Sequence, residues 1–149
     1  MSAIEKAIQH FHEGDIESAV CVARKEFERD SKSFQIAKTY GMIGLASGDI
    51  VAAKTGFERA TQLDPSYIAG FFNLGVALQD LGELEASVDA YTSALRLRPD
   101  HSDALYNRGC ALKLGRKPED ALLDFKRSMG LRPNFIDAHN NYASCLASL

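Results

Sequence analysis

The sequence predicts an all-α fold, a right-handed α-solenoid of stacked helix–turn–helix repeats. The first observation is that five columns of residues recur with one fixed step of 34 residues. The second is that amphipathic helical stretches alternate with short turns that contain glycine or proline. The columns are Gly14, Gly48 and Gly82; Gly41, Gly75 and Gly109; Ala19, Ala53, Ser87 and Ala121; Phe57, Tyr91 and Phe125; and Pro65, Pro99 and Pro133. Such a step indicates helical pairs that each bury an apolar face against their neighbours.

The length favours a single domain over residues 1–149. About four repeats are predicted, at residues 1–33, 34–67, 68–101 and 102–135, with a terminal helix at 136–149. In the first repeat, apolar side chains fall at i, i+3, i+4 and i+7 from Ile4, which is one face of a helix. Gly14 suits the turn that follows, and Asp15 is placed to cap the second helix.

The middle repeats follow the pattern with few departures. In the second, Gly44 lies inside a helix, where glycine costs about 1 kcal/mol relative to alanine, so we expect it to permit close packing. The fourth repeat carries Arg108 where leucine is normal and Arg116 where the turn glycine is normal. Because Gly115 stands one residue early, we expect a shifted turn there. The final helix has Asp137 as its one formally charged residue.

The third repeat shows which family the chain resembles. Phe71-x2-Leu74-Gly75-x2-Leu78, followed by Ser87-x3-Tyr91 and Pro99, is similar to the two-helix signature of tetratricopeptide repeats. The resemblance extends over essentially the whole chain. It implies a concave surface lined mainly by the first helix of each repeat.

Composition argues against several functional classes. A net charge of −3 and a pI near 5.8 are unlike a general nucleic-acid binder. No segment approaches the roughly 20 apolar residues of a membrane span, and residues 1–15 do not resemble a signal peptide, so we expect a cytoplasmic protein. The catalytic motifs of common enzyme classes are absent, and we predict no catalytic residue, no metal and no cofactor. Cys21, Cys110 and Cys145 are too dispersed for a zinc site or a disulfide framework.

The resemblance also indicates where a ligand would lie. Asn73, Asn107 and Asn141 keep the 34-residue step at a helical position that points into the groove of this family, and Thr39 precedes them. An asparagine amide donates and accepts hydrogen bonds, so such a column can hold the backbone of an extended peptide. The alternative is that these amides bond water or a neighbouring helix. The predicted peptide-binding groove consists of Lys38, Thr39, Met42, Phe72, Asn73, Val76, Gln79, Tyr106, Asn107, Cys110, Asn140 and Asn141.

Two groups within the family offer comparisons. Lys38 and Asn73 resemble members of the clamp that holds the tails of Hsp70 and Hsp90, but Met42, Asp103 and Asn107 do not match it, so we predict no such ligand. The asparagine column is more similar to the groove of O-GlcNAc-transferase-type and related bacterial domains.

These observations predict a non-catalytic scaffold that binds a protein partner, as an extended peptide or a helix, in a concave groove. One alternative is a homo-oligomer formed through the C-terminal helix, whose surface is apolar. Another is that the chain is the N-terminal region of a larger enzyme, such as a glycosyltransferase. No nucleic-acid or membrane partner is predicted.

Overall fold

The computed structural model describes residues 1–149 and contains nine α-helices and no strand, which confirms the predicted all-α class. The helices are α1 (Ala3–His12), α2 (Ile16–Arg29), α3 (Phe34–Ser47), α4 (Ile50–Leu63), α5 (Ile68–Asp80), α6 (Leu84–Leu97), α7 (Ser102–Leu114), α8 (Pro118–Leu131) and α9 (Ile136–Ala147). Each predicted repeat supplies two of them, and residues 136–149 supply the last.

The helices group into two compact units, Met1–Ala77 and Leu78–Leu149. In the first unit, α1 packs against α2 and α3 against α4, while α3 also contacts both helices of the preceding pair. In the second unit, α7 contacts α6 and α8, and α9 contacts α7 and α8. Within each unit, successive helices therefore pack on one another, as in an α-solenoid.

The turn inside each repeat uses one residue with left-handed backbone. Gly14, Gly48 and Gly82 have φ values of 81°, 79° and 76°. The predicted shift in the fourth repeat is wrong, because Gly115 has a φ of −75° and Arg116 takes the left-handed position at 59°. The following helix keeps its register against the core, so the turn stays in place. A side chain at such a φ costs roughly 1–2 kcal/mol.

The helices of the first unit begin with well-made caps. Asp15 accepts a hydrogen bond from the backbone N–H three residues later at 3.2 Å, and Asp49 does the same at 3.0 Å. The predicted cap at Asp15 is therefore confirmed. In the later repeats Glu83 and Lys117 occupy this position and form no side-chain cap.

The aromatic column is the centre of the core. Phe57, Tyr91 and Phe125 are 0%, 1% and 0% exposed. Small residues in the neighbouring columns, such as Ala53 and Ala121, are also completely buried. The sequence periodicity thus marks residues that are buried in the folded chain.

Glycines bring the backbones of α3 and α4 together. A Cβ added at Gly56 would lie 2.2 Å from the backbone N of Gly41, and one added at Gly44 would lie 2.5 Å from the backbone N of Ala53. No side chain fits at these separations. The expectation that Gly44 permits close packing is confirmed.

Arg108 departs from the leucine pattern because it neutralises a buried acid. Its Nε and Nη2 atoms donate to the two carboxylate oxygens of Asp124, both at 2.7 Å, and its Nη1 donates to Thr92 at 3.0 Å. The Asp124 side chain is 4% exposed. A bidentate pair of this kind compensates the cost of burying the carboxylate.

Candidate functional site

Helices α1 and α3 enclose a cavity of about 280 Å³ in the first unit. Three predicted groove residues, Lys38, Thr39 and Met42, contribute to its wall from α3. Ile8 and Phe11 contribute from α1. We call this feature the α1–α3 cavity. It is the place where the structure brings predicted groove residues together around an open space.

The α1–α3 cavity combines apolar surface with a fixed cation. Met42 is 49% exposed, whereas Thr39 is buried. The Nζ atom of Lys38 lies 5.7 Å from the centroid of the Tyr67 ring, a cation–π contact that holds the ammonium in place. The cavity can therefore take an apolar side chain beside a positive charge.

Ile8 and Phe11 were missed as groove residues, although the sequence step identifies them. Ile8 stands 34 residues before Met42, and Phe11 stands two steps before Gln79. Because the first repeat is degenerate, these residues look like ordinary core positions of a helix. Extending the groove columns toward the N-terminus, by one step from Met42 and by two steps from Gln79, would have found both.

The predicted groove residues of α5 are partly accessible to solvent. Phe72, Asn73 and Val76 are each half-buried. The Asn73 side chain forms no hydrogen bond within the chain. Its amide is therefore available to a ligand.

The asparagine of the last helix is already engaged. Asn141 donates from Nδ2 to the Tyr106 hydroxyl at 3.1 Å and accepts from Lys113 Nζ at 3.0 Å. Lys113 also donates to Ser144 Oγ at 3.0 Å. We call these four residues the α7–α9 network. Burial raises the pKa of Tyr106 to about 12, so its hydroxyl stays protonated and can donate a hydrogen bond.

The asparagine of α7 lies beside Tyr91. The Tyr91 hydroxyl donates to Gln79 Oε1 at 3.2 Å. Burial raises the pKa of Tyr91, and a hydrogen bond with the Asn107 side chain opposes part of that rise. Two predicted groove residues, Gln79 and Asn107, therefore support a core tyrosine.

The remaining predicted groove residues differ in exposure. Cys110 is half-buried, and burial raises the pKa of its thiol, so the reactive thiolate is disfavoured. Asn140 is exposed. No group of three or more His, Cys, Asp or Glu side chains is placed to hold a metal ion. None of the helices combines the length and apolar character needed to cross a membrane.

Comparison with known proteins agrees with this architecture. Residues 68–101 match the family model of the tetratricopeptide repeat. The third repeat, residues 68–101, is therefore a tetratricopeptide repeat. A search of curated protein sequences finds no match.

Solved structures share the fold of the chain. A crystal structure of MamA is 20% identical with a TM-score of 0.89, over 95% of this chain and 83% of that one. The first TPR domain of Spaghetti (RPAP3), bound to the HSP90 peptide SRMEEVD, is 23% identical with a TM-score of 0.74, over 80% of this chain and 94% of that one. At these identities the likeness establishes the fold.

Proposed function

We propose that this chain is a non-catalytic protein-interaction scaffold that binds an extended peptide at the α1–α3 cavity of its first unit. The α1–α3 cavity carries this proposal, because it joins an exposed methionine, a fixed ammonium and a volume suited to one side chain. A preformed surface of this kind needs little reorganisation on binding. The peptide bound to the first TPR domain of RPAP3 shows that this fold can hold such a ligand.

Blocking the α1–α3 cavity tests the proposal directly. Random dodecapeptides displayed on phage supply a ligand, and its affinity is then measured by fluorescence anisotropy. Ala46 is an exposed residue of the cavity wall, so Ala46→Tyr fills the space without disturbing the core. We expect a loss of affinity of about tenfold or more with an unchanged melting temperature.

The matched control is Ala86→Tyr, at an exposed alanine of α6. This variant should bind the selected peptide as the wild type does. If wild type and Ala46→Tyr bind every selected peptide with equal affinity, the α1–α3 cavity does not contribute to peptide binding.

Asn73 lies in the same unit as the α1–α3 cavity and is proposed as a second contact of the peptide, whereas Asn107 supports Tyr91. Asn73→Ala should weaken peptide binding about fivefold, the value of one hydrogen bond of about 1 kcal/mol, and leave stability unchanged. Asn107→Ala should instead lower the free energy of unfolding, because it removes a partner of Tyr91. A loss of stability without loss of affinity in Asn73→Ala would make that residue structural.

We do not extend the HSP90 peptide of the RPAP3 complex to this chain. Met42 and Asp103 stand where the tail-binding clamp uses other residues, and Asp103 forms an ion pair with Arg132 at 2.8 Å. The proposed ligand is therefore an extended peptide that is held through its backbone and one apolar side chain.

Homo-oligomerisation through α9 is a second candidate function, and exposed apolar side chains favour it. Ile136, Leu146 and Leu149 are 71%, 52% and 62% exposed. Light scattering of the wild type at high concentration tests it, with Leu146→Lys as the comparison. An oligomer that Leu146→Lys converts to a monomer supports this role, and a strictly monomeric wild type contradicts it.

A further inference from the structure

The second unit contains a groove beside the second helices of its repeats, α6 and α8. It consists of two cavities of about 540 Å³ and 470 Å³ that share Val88 of α6 and Leu112 of α7 as wall residues. Residues of α6 line the first cavity, residues of α8 line the second, and residues of α7 line both. We call the joined cavities the α6–α8 groove. It lies wholly within the second unit, apart from the residues of the α1–α3 cavity.

The α6–α8 groove contains a continuous apolar surface. Ala111 and Leu112 are buried, and Val88 packs against the cluster that includes Leu112 and Phe125. Leu123 of α8 also lines the groove, and its side chain is 64% exposed. A partner that covers Leu123 would remove this apolar surface from water, which favours binding.

Charged side chains of opposite sign line the groove on its two sides. Two acids, Glu85 and Asp89, lie one turn apart on α6. Two bases, Lys117 immediately before α8 and Lys126 within it, lie on the other side. None of these four side chains forms an ion pair within the chain. The acid on the α8 side, Asp120, lies in the first turn of that helix, where a carboxylate complements the helix dipole.

The other charged residues of the groove do not change this separation of sign. Arg108 and Asp124 pair with each other at 2.7 Å, so their charges cancel. Arg127 donates to the carbonyl oxygen of Pro99 at 3.1 Å, which is a neutral acceptor, so its charge adds to the basic side. The groove therefore presents acids along α6 and bases along α8, on either side of an apolar surface.

The walls of the groove favour a helix over an extended peptide. No serine, threonine, asparagine or glutamine lines either cavity, so the backbone of an extended peptide would find no hydroxyl or amide partner there. A helix satisfies its backbone hydrogen bonds internally. The α8 residues that border the groove include Asp120, Leu123, Asp124 and Arg127, at i, i+3, i+4 and i+7. The groove therefore follows the axis of α8 for two turns, or about 10 Å.

We infer that the α6–α8 groove binds an amphipathic helix of a partner protein. The apolar stripe of this helix covers Val88 and Leu123. One edge of the stripe carries lysine or arginine beside the acids of α6, and the other edge carries aspartate or glutamate beside the bases of α8. This role goes beyond the peptide proposed for the α1–α3 cavity, and either can hold without the other.

Helices displayed on phage test this inference. The probe is a two-helix scaffold whose outer helix is randomised over its exposed face, and it is selected against the full chain. We expect enrichment of helices with an apolar stripe between edges of opposite charge. For a selected helix, Leu123→Ala should lower affinity about tenfold, because a leucine that the partner would bury is lost. The matched control is Leu114→Ala, since Leu114 is 62% exposed and lines neither cavity. It should bind as the wild type does.

Reversing the acids of α6 tests the charge argument. The variant Glu85→Lys/Asp89→Lys makes both sides of the groove basic, so selection on it should enrich helices with acids on both edges. The variant Glu119→Lys/Asp137→Lys changes the net charge by the same amount at exposed positions outside the groove. It should select the same helices as the wild type.

Three results would overturn this inference. The wild type could enrich no helix, or Leu123→Ala could bind the selected helices as tightly as the wild type does. Light scattering could also show that the chain self-associates and that Leu123→Ala abolishes the association, which would make the occupant a second copy of the chain. The dodecapeptide assay of the α1–α3 cavity is a separate measurement, so the two proposals can fail independently.

Discussion

The helical pairs α3/α4 and α7/α8 solve one packing problem in two ways. In α3/α4 the backbones touch through Gly41, Gly44 and Gly56, and no side chain separates them. Two steps later in the sequence, Asp124 stands at the position of Gly56 and Arg108 at the position of Tyr40. There a buried bidentate ion pair between α7 and α8 occupies the positions that Tyr40 and Gly56 hold in the earlier pair.

The difference shows what the repeat requires. Phe57 and Phe125 are both completely buried, so the aromatic anchor is common to the two pairs. The residues beside it can vary only in matched sets, since an isolated Asp124 would be a buried unpaired charge. The α3/α4 pair depends on close packing of backbones and the α7/α8 pair on a buried ion pair. The two pairs should therefore be destabilised by different substitutions.

The largest effect is expected where shape alone decides. Gly56→Ala places a Cβ 2.2 Å from the backbone N of Gly41 and 2.5 Å from its Cα, so α3 and α4 must separate. The free energy of unfolding in urea should fall by more than about 3 kcal/mol. Gly130→Ala is the control, because a Cβ there meets nothing within 4 Å. It should be neutral or stabilising by up to about 1 kcal/mol, and equal effects of both variants would contradict the close packing.

The second prediction concerns charge. Asp124→Ala leaves Arg108 with no acid, and we expect a loss of about 2–3 kcal/mol of stability, since Arg108 keeps some contact with solvent. The double variant Arg108→Leu/Asp124→Ala copies Leu74 and Ala90, which hold these positions one repeat earlier. It should return to within about 1 kcal/mol of the wild type. A double variant that is less stable than Asp124→Ala would show that Arg108 stabilises the chain through contacts other than its ion pair with Asp124.

The third prediction compares the turn at Gly48, between α3 and α4, with the turn at Arg116, between α7 and α8. Arg116 adopts a φ of 59°, where Gly48 in the earlier pair adopts 79°. Arg116→Gly should raise the free energy of unfolding by about 1 kcal/mol, and Gly48→Ala should lower it by a similar amount. Thermal melting measures both. If Arg116→Gly destabilises the chain, the arginine side chain contributes more stability than its left-handed backbone conformation costs.

The smallest effect concerns the caps of α3 and α7. Ser33 Oγ accepts from the Ile36 N–H at 3.4 Å, whereas His101 Nδ1 accepts from the Ala104 N–H at 3.3 Å. Only neutral histidine can accept this bond, and burial lowers the pKa of His101. The stabilisation is therefore complete above the unfolded pKa near 6.5 and declines as the pH falls through that value. His101→Ser should reduce this decline by less than about 1 kcal/mol between pH 7.5 and 5.5. If the variant shows the same pH dependence of stability as the wild type, His101 is not its source.

Much of the fold follows from the sequence because its constraints are local or periodic. The turn glycines, the buried aromatic residues and the helix bounds all depend on backbone conformation and apolar spacing. The error at Arg116 arose because helix register against the core outweighs the modest cost of one left-handed residue.

The site could be predicted only in part. The 34-residue step predicted Lys38 and Met42 as groove residues, and both line the α1–α3 cavity. The same step assigns one role to every asparagine in the column. In the structure Asn141 is bonded to Tyr106 and Lys113, whereas Asn73 is free of such contacts. Side-chain partners four or more residues away in sequence are decided by packing, which a periodic pattern does not encode.

The central claim, that the α1–α3 cavity holds a peptide, can be tested with methyl NMR of methionine. The chain has three methionines, Met1, Met42 and Met129, so ¹³C-methyl labelling gives three signals. Met42 lines the cavity, while Met129 is half-buried on α8. On titration with a selected peptide, the Met42 signal should shift and that of Met129 should stay. A bound peptide that shifts Met129 and leaves Met42 unchanged would contradict the account.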